Sequence, residues 1–200
     1  MKRLILMLGG FFGGLLLNGA ELTPPTGTSG DPSRVTVIGE VDESKLVPIA
    51  INGFDGEVAS VLRFDLEVQG FKVVPEASAK YILSGKNGGA VEGALQDANQ
   101  AFMFNKTFNG GTLRMQAHTL SDTVVEAVYG IRGIARTKIL FTMKTGPRSW
   151  EVFTADYDGH NSVALTHDKV LCGAPSWGLG NRKVFYTSYL TFNGIINPTV

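Results

Sequence analysis

The stretch SDTVVEAVYGIRGIARTKILF, Ser121 to Phe141, contains the point at which the chain changes architecture. Its first half reads as a helix over Ser121 to Tyr129. Ser121 is a residue type that caps helix N-termini, and Val124, Val125 and Val128 fall on one side. Its second half opens a short strand, Lys138 to Met143 (KILFTM). Upstream of this junction helix and strand signals alternate; downstream there are only strand signals.

Moving upstream, Phe102 to Phe108 (FMFNKTF) alternates and ends at Asn109-Gly110-Gly111, a turn expected to return the chain as a strand through Thr112 to Gln116. Lys80 to Ser84 (KYILS) and Phe71 to Val74 (FKVV) read as further short strands. Gly56 to Gln69 carries Val58, Val61, Leu62 and Leu66 at helical spacing, with Asp55 placed to cap its start and Gly70 to end it. Leu46 to Ile51 (LVPIAI) is a continuous apolar run, the pattern of a strand covered on both faces. Arg34 to Val41 (RVTVIGEV) alternates as a half-buried strand. The expected fold is an α/β domain with a mixed sheet and two helices over 35–133.

Downstream, Lys138 to Met143, Trp150 to Ala155 (WEVFTA), Val163 to Thr166 (VALT) and Lys183 to Ser188 (KVFYTS) are punctuated by Gly146-Pro147, Asp158-Gly159 and Gly178 to Asn181. Four short strands at this spacing predict one propeller-type blade or one meander over 134–200.

The N-terminus reads differently. Met1-Lys2-Arg3 precedes the 14 uncharged residues Leu4 to Leu17, and Asn18-Gly19-Ala20 offers small residues for cleavage. This is the pattern of a secretory signal peptide over 1–20; a membrane span needs about 20 apolar residues. With Lys2 and Arg3 removed, 16 basic residues face 18 acidic ones. A charge so near zero excludes electrostatic capture of nucleic acid, and no direct membrane insertion is expected after cleavage. Residues 21–34 (ELTPPTGTSGDPSR) have no apolar periodicity and read as a flexible arm, either a leader of no consequence or a peptide that adds to a partner's sheet edge, and composition alone does not decide between them. The lone Cys172 can form no intrachain disulfide and no cysteine zinc site, and in an exported chain it must be buried or inert.

No catalytic, cofactor or metal site emerges. His118 is expected just before the second helix as a polar cap-side residue. His160 and His167 lack a third ligand, and Asp156, Asp158 and Asn161 miss the EF-hand spacing, so a turn in which aspartates cap backbone N–H groups is favoured. No nucleophile elbow, phosphate-binding loop or His-Glu-x-x-His is present, and Trp150 and Trp177 are read as packing residues of the blade.

Ala117 to Phe141 resembles the helix–strand junction of the TolB family. Gly130, Ile131, Arg132, Gly133, Arg136, Thr137, Lys138 and Ile139 match its Leu-Thr-Gly-Ile-(Arg/Lys)-Gly-x-x-Arg-Thr-(Arg/Lys)-Ile pattern from the first glycine onward. Asp156-Tyr157-Asp158-Gly159 with Asn161 resembles its Asp-Tyr-Asp-Gly-x-Asn turn. Ala174-Pro175-Ser176-Trp177 resembles its blade motif, although Gly178-Leu179-Gly180-Asn181 replaces the family's Ser-Pro-Asp-Gly. Val37-Ile38-Gly39 and Pro48-Ile49-Ala50-Ile51 with Phe54 resemble its mature N-terminus.

The resemblance implies a non-enzymatic periplasmic component of the Tol–Pal envelope system, acting in outer-membrane integrity and constriction at cell division. It implies a TolA-like inner-membrane partner for the N-terminal arm, with Arg34, Val35, Val37 and Ile38 adding as a strand. A Pal-like lipoprotein would be held weakly or not at all, because the family's propeller has six blades and this sequence offers one, as a truncated chain would. Two other classes stay open: a stand-alone secreted adaptor with an unrelated envelope partner, and a processing enzyme that has lost its propeller.

Overall fold

The computed structural model describes residues 4–9, 34–39, 42–192 and 195–199. The expected cleavage site at Asn18 to Ala20 and the arm up to residue 33 lie outside these. Leu4–Gly9 (β1) pairs antiparallel with Arg34–Gly39 (β2) as a two-stranded ribbon, Leu4 opposite Gly39 and Gly9 opposite Arg34. The chain falls into two compact units, and this ribbon is grouped with the one that holds most of the later strands.

The α/β unit, Glu43–Ile139 with Ala155–Asn161, is built on a mixed five-stranded sheet. Val47–Asn52 (β3) runs parallel to Phe71–Val73 (β4) on one side and to Tyr81–Asn87 (β5) on the other. Val91–Asp97 (β6) and Phe102–Phe108 (β7) continue antiparallel, giving the order β4-β3-β5-β6-β7. The apolar run expected around Leu46 to Ile51 is therefore an interior strand, with Ile49 and Ala50 buried. Gly56–Val68 (α1) buries Val58, Val61, Leu62 and Leu66, and Leu113–Tyr129 (α2) buries Ala117, Leu120, Val124 and Val125. These side chains share one core with Ile49, Leu83, Val91 and Leu95 of the sheet.

Three local expectations are corrected. Thr112 to Gln116 is not a returning strand: Gly110 (φ 87°) and Gly111 (φ 67°) do reverse the chain, but into α2. The partner of β7 is β6, which the sequence reading passed over. The cap of α2 is Thr112, whose side chain accepts from the Met115 N–H at 3.2 Å, and Ser121 is buried in mid-helix. Asp55 sits at the start of α1 without a side-chain cap; its Oδ1 instead accepts from Asn87 Nδ2 at 2.9 Å, and its N–H donates to Asn87 Oδ1 at 3.0 Å. Thr112→Ala is expected to cost about 1 kcal/mol, read as a lower urea midpoint, whereas Ser121→Ala removes no cap.

The β unit contains two three-stranded sheets. Lys138–Gly146 (β8), Ser149–Asp156 (β9) and Val163–Ala164 (β10) form one, in the order β10-β9-β8. Cys172–Trp177 (β11), Val184–Phe192 (β12) and Ile195–Thr199 (β13) form the other, antiparallel throughout. The strand expected at Lys183 to Ser188 thus belongs to the second sheet, not to a four-stranded unit with the three before it. Trp150 and Trp177 accordingly lie on different sheets. The cause is β11: Cys172, Gly173, Ser176 and Trp177 pair with β12 across a register irregularity, and that Gly- and Pro-containing segment carries no strand alternation in sequence. A buried carboxylate organises this unit. Glu151 accepts from Thr166 Oγ1 (2.6 Å) and from the N–H groups of Asp168 (3.1 Å) and Lys169 (2.7 Å). Burial opposes its charge, but these donors outweigh burial and hold its carboxyl below the ordinary range. Cys172 is buried, and burial pushes its thiol up.

Candidate functional site

The matched junction residues are spent mostly on internal structure. Helix α2 ends at Gly130, in the left-handed conformation (φ 69°), with its N–H donating to Glu126 O. The chain then folds back over Asp122, which is buried on α2. Asp122 Oδ1 accepts from the Ala135 N–H and Oδ2 from Arg136 Nε, both at 2.8 Å. Gly133 lies so close that a Cβ there would sit 2.3 Å from Asp122 Oδ1 and 2.8 Å from its Cα. Thr137 Oγ1 donates to Ile134 O at 2.7 Å. Glycine at 130 and 133, arginine at 136 and threonine at 137 are thus explained by one buckle that closes the loop onto the helix. Ile131 and Arg132 are exposed and take no part in it.

The turn Asp156 to Asn161 makes a second set of contacts within the α/β unit. Its backbone is closed by Asp156 N–H to His160 O and Gly159 N–H to Asp156 O, each 2.8 Å, and the His160 N–H donates to Asp158 Oδ1 at 3.1 Å. Gly159 (φ 87°) and Asn161 (φ 53°) take the left-handed conformations the reversal requires. Asp156 receives Lys138 Nζ (2.7 Å) and Asn161 Nδ2 (2.6 Å). Burial opposes the Asp156 charge, but these two donors outweigh it and hold the carboxyl below its ordinary range. Asp158 turns to different groups, Arg114 and His118 of α2. The two aspartates thus turn to different partners, and Asp158 takes a backbone N–H of its own turn. His160 belongs to this unit and His167 to the β unit.

The turn also meets a buried polar cluster that sequence reasoning missed. Tyr157 Oη donates to Asp65 Oδ1 at 2.5 Å, and His118 Nδ1 lies 2.8 Å from Asp65 Oδ2. His118 is not a cap-side residue ahead of a helix. It sits within α2 and is 4% exposed. Burial first, then the Asp65 carboxylate, push the Tyr157 hydroxyl far above its ordinary range. Asp65 did leave a signal: it occupies a place in the buried stripe Val58, Val61, Leu62, Asp65, Leu66, where a carboxylate needs partners.

Of the residues expected to bind a partner, Arg34, Val35, Val37 and Ile38 all lie on β2, whose pairing in the described residues is with β1 alone. Trp177 ends β11 opposite Val184 and is partly exposed. Gly178 to Lys183 forms the β11–β12 turn, closed by the Gly178 N–H to Lys183 O at 2.8 Å. Among the described residues no helix is long and apolar enough to cross a membrane.

No family model matches the chain. Over 176 residues it is 30% identical to the Tol-Pal system protein TolB of Legionella pneumophila (strain Corby), covering 72% of this chain and 42% of that one. Over 77 residues it is 35% identical to the Tol-Pal system protein TolB of Actinobacillus pleuropneumoniae serotype 5b, 38% of this chain and 18% of that one. The chain thus matches less than half the length of these relatives. The crystal structure of TolB from Acinetobacter baumannii superimposes with a TM-score of 0.65 at 20% identity, over 76% of this chain and 49% of that one, a likeness of fold. The long match to the Legionella protein and the shared fold together place the chain in the TolB family, of which it spans a part.

Proposed function

We propose that this chain is a non-catalytic binding component of a Tol–Pal system in the periplasm, and that its N-terminal strand captures an inner-membrane partner of the TolA type. The observation that carries this reading is the 30% identity over 72% of the chain to a protein named for the Tol–Pal system. Export through the 1–20 segment, a role in envelope integrity and division, and any contact with a Pal-type lipoprotein belong to the same proposal.

The backbone of β2 supports the proposed mode of binding. Arg34–Gly39 is already extended, and the strand it pairs with, Leu4–Gly9, falls inside the segment read as an export signal. Removal of that segment would leave both edges of β2 open. An open edge recruits a strand: main-chain hydrogen bonds supply affinity, and alternate side chains fix register. The mature chain lacking Glu21 to Ile38 should therefore lose binding to the periplasmic domain of a TolA-type protein while keeping its circular dichroism and melting temperature. Val37→Pro should weaken binding at least tenfold by removing one ladder donor and restricting the backbone, since one lost charge-neutral hydrogen bond plus strain is worth about 1.5 kcal/mol or more. Unchanged affinity in both variants would sink the strand-addition reading.

A further inference from the structure

His118 is enclosed by charge on every element that faces it. From α1 comes Asp65, its Oδ2 2.8 Å from His118 Nδ1. From the turn after β9 comes Asp158, its Oδ2 3.3 Å from His118 Nε2, and Tyr157, whose ring meets the imidazole edge-on at 5.9 Å. On α2 itself Arg114 lies one turn before and pairs with both Asp158 and Glu57, the latter at 2.8 Å. Asp122, one turn after, is engaged by Arg136, and Asp156 by Lys138. The β6 residues packed in the same core, Val91 and Leu95, are apolar.

The two imidazole nitrogens therefore face two carboxylates, one from each of the elements clamped against α2. Only the doubly protonated ring is attracted to both, by a hydrogen bond at Nδ1 and by charge alone at Nε2, which makes no hydrogen bond across its 3.3 Å to Asp158. If Nδ1–H donates to Asp65 in the neutral ring, the Nε2 lone pair faces the Asp158 carboxylate across 3.3 Å, a repulsive contact. We infer that His118 is a proton-operated clasp: its imidazolium ties the Asp156–Asn161 turn to helices α1 and α2, and its deprotonation loosens that turn. The clasp does not let go entirely, because Arg114 still holds Asp158 and Tyr157 still holds Asp65.

The electrostatics agree in sign. Burial opposes charge on His118, but the hydrogen bond and charge of Asp65 and then the charge of Asp158 outweigh burial and the opposing Arg114, and the net shift is upward. A group whose folded-state value is raised stabilises fully below its unfolded value. That contribution is lost as pH climbs through the folded-state value. The window thus opens above about pH 6.5, the value of a solvated imidazole, and closes just past the midpoint of His118 in the folded chain. This inference stands apart from the binding role proposed above, since it concerns the α/β unit alone.

The test uses the full chain and two readouts. Nuclear magnetic resonance of the imidazole gives the His118 midpoint. Hydrogen–deuterium exchange, corrected for intrinsic rates, gives the protection of the Tyr157 and Gly159 amides, which donate to Thr137 O (3.1 Å) and Asp156 O (2.8 Å). Protection should fall across the window between about pH 6.5 and the His118 midpoint and level off beyond it, by about tenfold in all for each pH unit by which that midpoint exceeds a solvated imidazole's. Tyr157→Phe should lower protection at every pH and keep the fall, while His118→Gln should abolish the fall. A His118 midpoint at or below that of a solvated imidazole, or wild-type protection with no fall between about pH 6.5 and that midpoint, overturns the clasp. Should His118→Gln not fold, the wild-type pair of measurements decides alone.

Discussion

Asp65→Ala is expected to lower the stability of the α/β unit by about 3–5 kcal/mol, the range for breaking a buried charge pair by removing one partner. Asp65 is fully buried, and both its oxygens are committed, Oδ1 to Tyr157 Oη and Oδ2 to His118 Nδ1. Alanine leaves both partners inside a core that admits no replacement: Val61, Leu62 and Leu66 surround that stretch of α1. The imidazole loses the nearer of its two carboxylates and the phenol loses its acceptor, so each group is left desolvated without compensation. At a urea slope of about 2 kcal/mol per M, the midpoint should fall by about 2 M. Asp65→Asn keeps the shape and one acceptor for Tyr157, and should cost less than half as much. A loss below about 1 kcal/mol for Asp65→Ala would mean that water reaches the cluster and the pair behaves as a surface one.

The elements legible in the sequence are those whose apolar pattern is regular along the chain. Helix α1 was readable because Val58, Val61, Leu62 and Leu66 repeat at helical spacing, and β3 because an uninterrupted apolar run suits an interior strand. The start of α2 was hidden by the two glycines before Thr112. They promise a hairpin, and only the tertiary position of β6, already paired to β7, turns the chain into a helix instead. Strand β6 alternates Val91, Gly93 and Leu95 against Glu92, Ala94 and Gln96, a weak pattern because glycine and alanine blur both faces. Strand β2 and the junction motif could be located from sequence, but not what the motif does. Gly133 and Arg136 answer to Asp122, and that carboxylate looks like an ordinary polar position until α2 is known to bury it. The same holds for His118: its place in mid-helix, facing Asp65 53 residues away, is a tertiary fact.

Gly133→Ala should prove the most disruptive single change in the matched junction, although it adds one methyl group. The new Cβ would lie 2.3 Å from Asp122 Oδ1 and 2.8 Å from Asp122 Cα. The second of these atoms is backbone within α2 and cannot rotate away, so the loop must lift. Lifting breaks what the loop is held by: the Ala135 N–H to Oδ1 bond and the Arg136 Nε to Oδ2 pair, each 2.8 Å. Ala135 is itself buried, so its separation from Asp122 exposes apolar surface as well as a carboxylate. Overpacking and the loss of a charged hydrogen bond together suggest about 2–4 kcal/mol. Gly130→Ala supplies the contrast within the same motif. No atom lies within 4 Å of a Cβ at Gly130, and the left-handed backbone alone opposes alanine there, for about 1 kcal/mol. Gly130→Asn should recover part of that loss, since asparagine tolerates the left-handed conformation, whereas Gly133→Asn should be worse than Gly133→Ala. Chemical denaturation of the four variants would show the order directly. Equal costs for Gly130→Ala and Gly133→Ala would mean that the buckle yields to steric pressure, and that the spacing of the two glycines reflects turn geometry rather than the approach of the loop to Asp122.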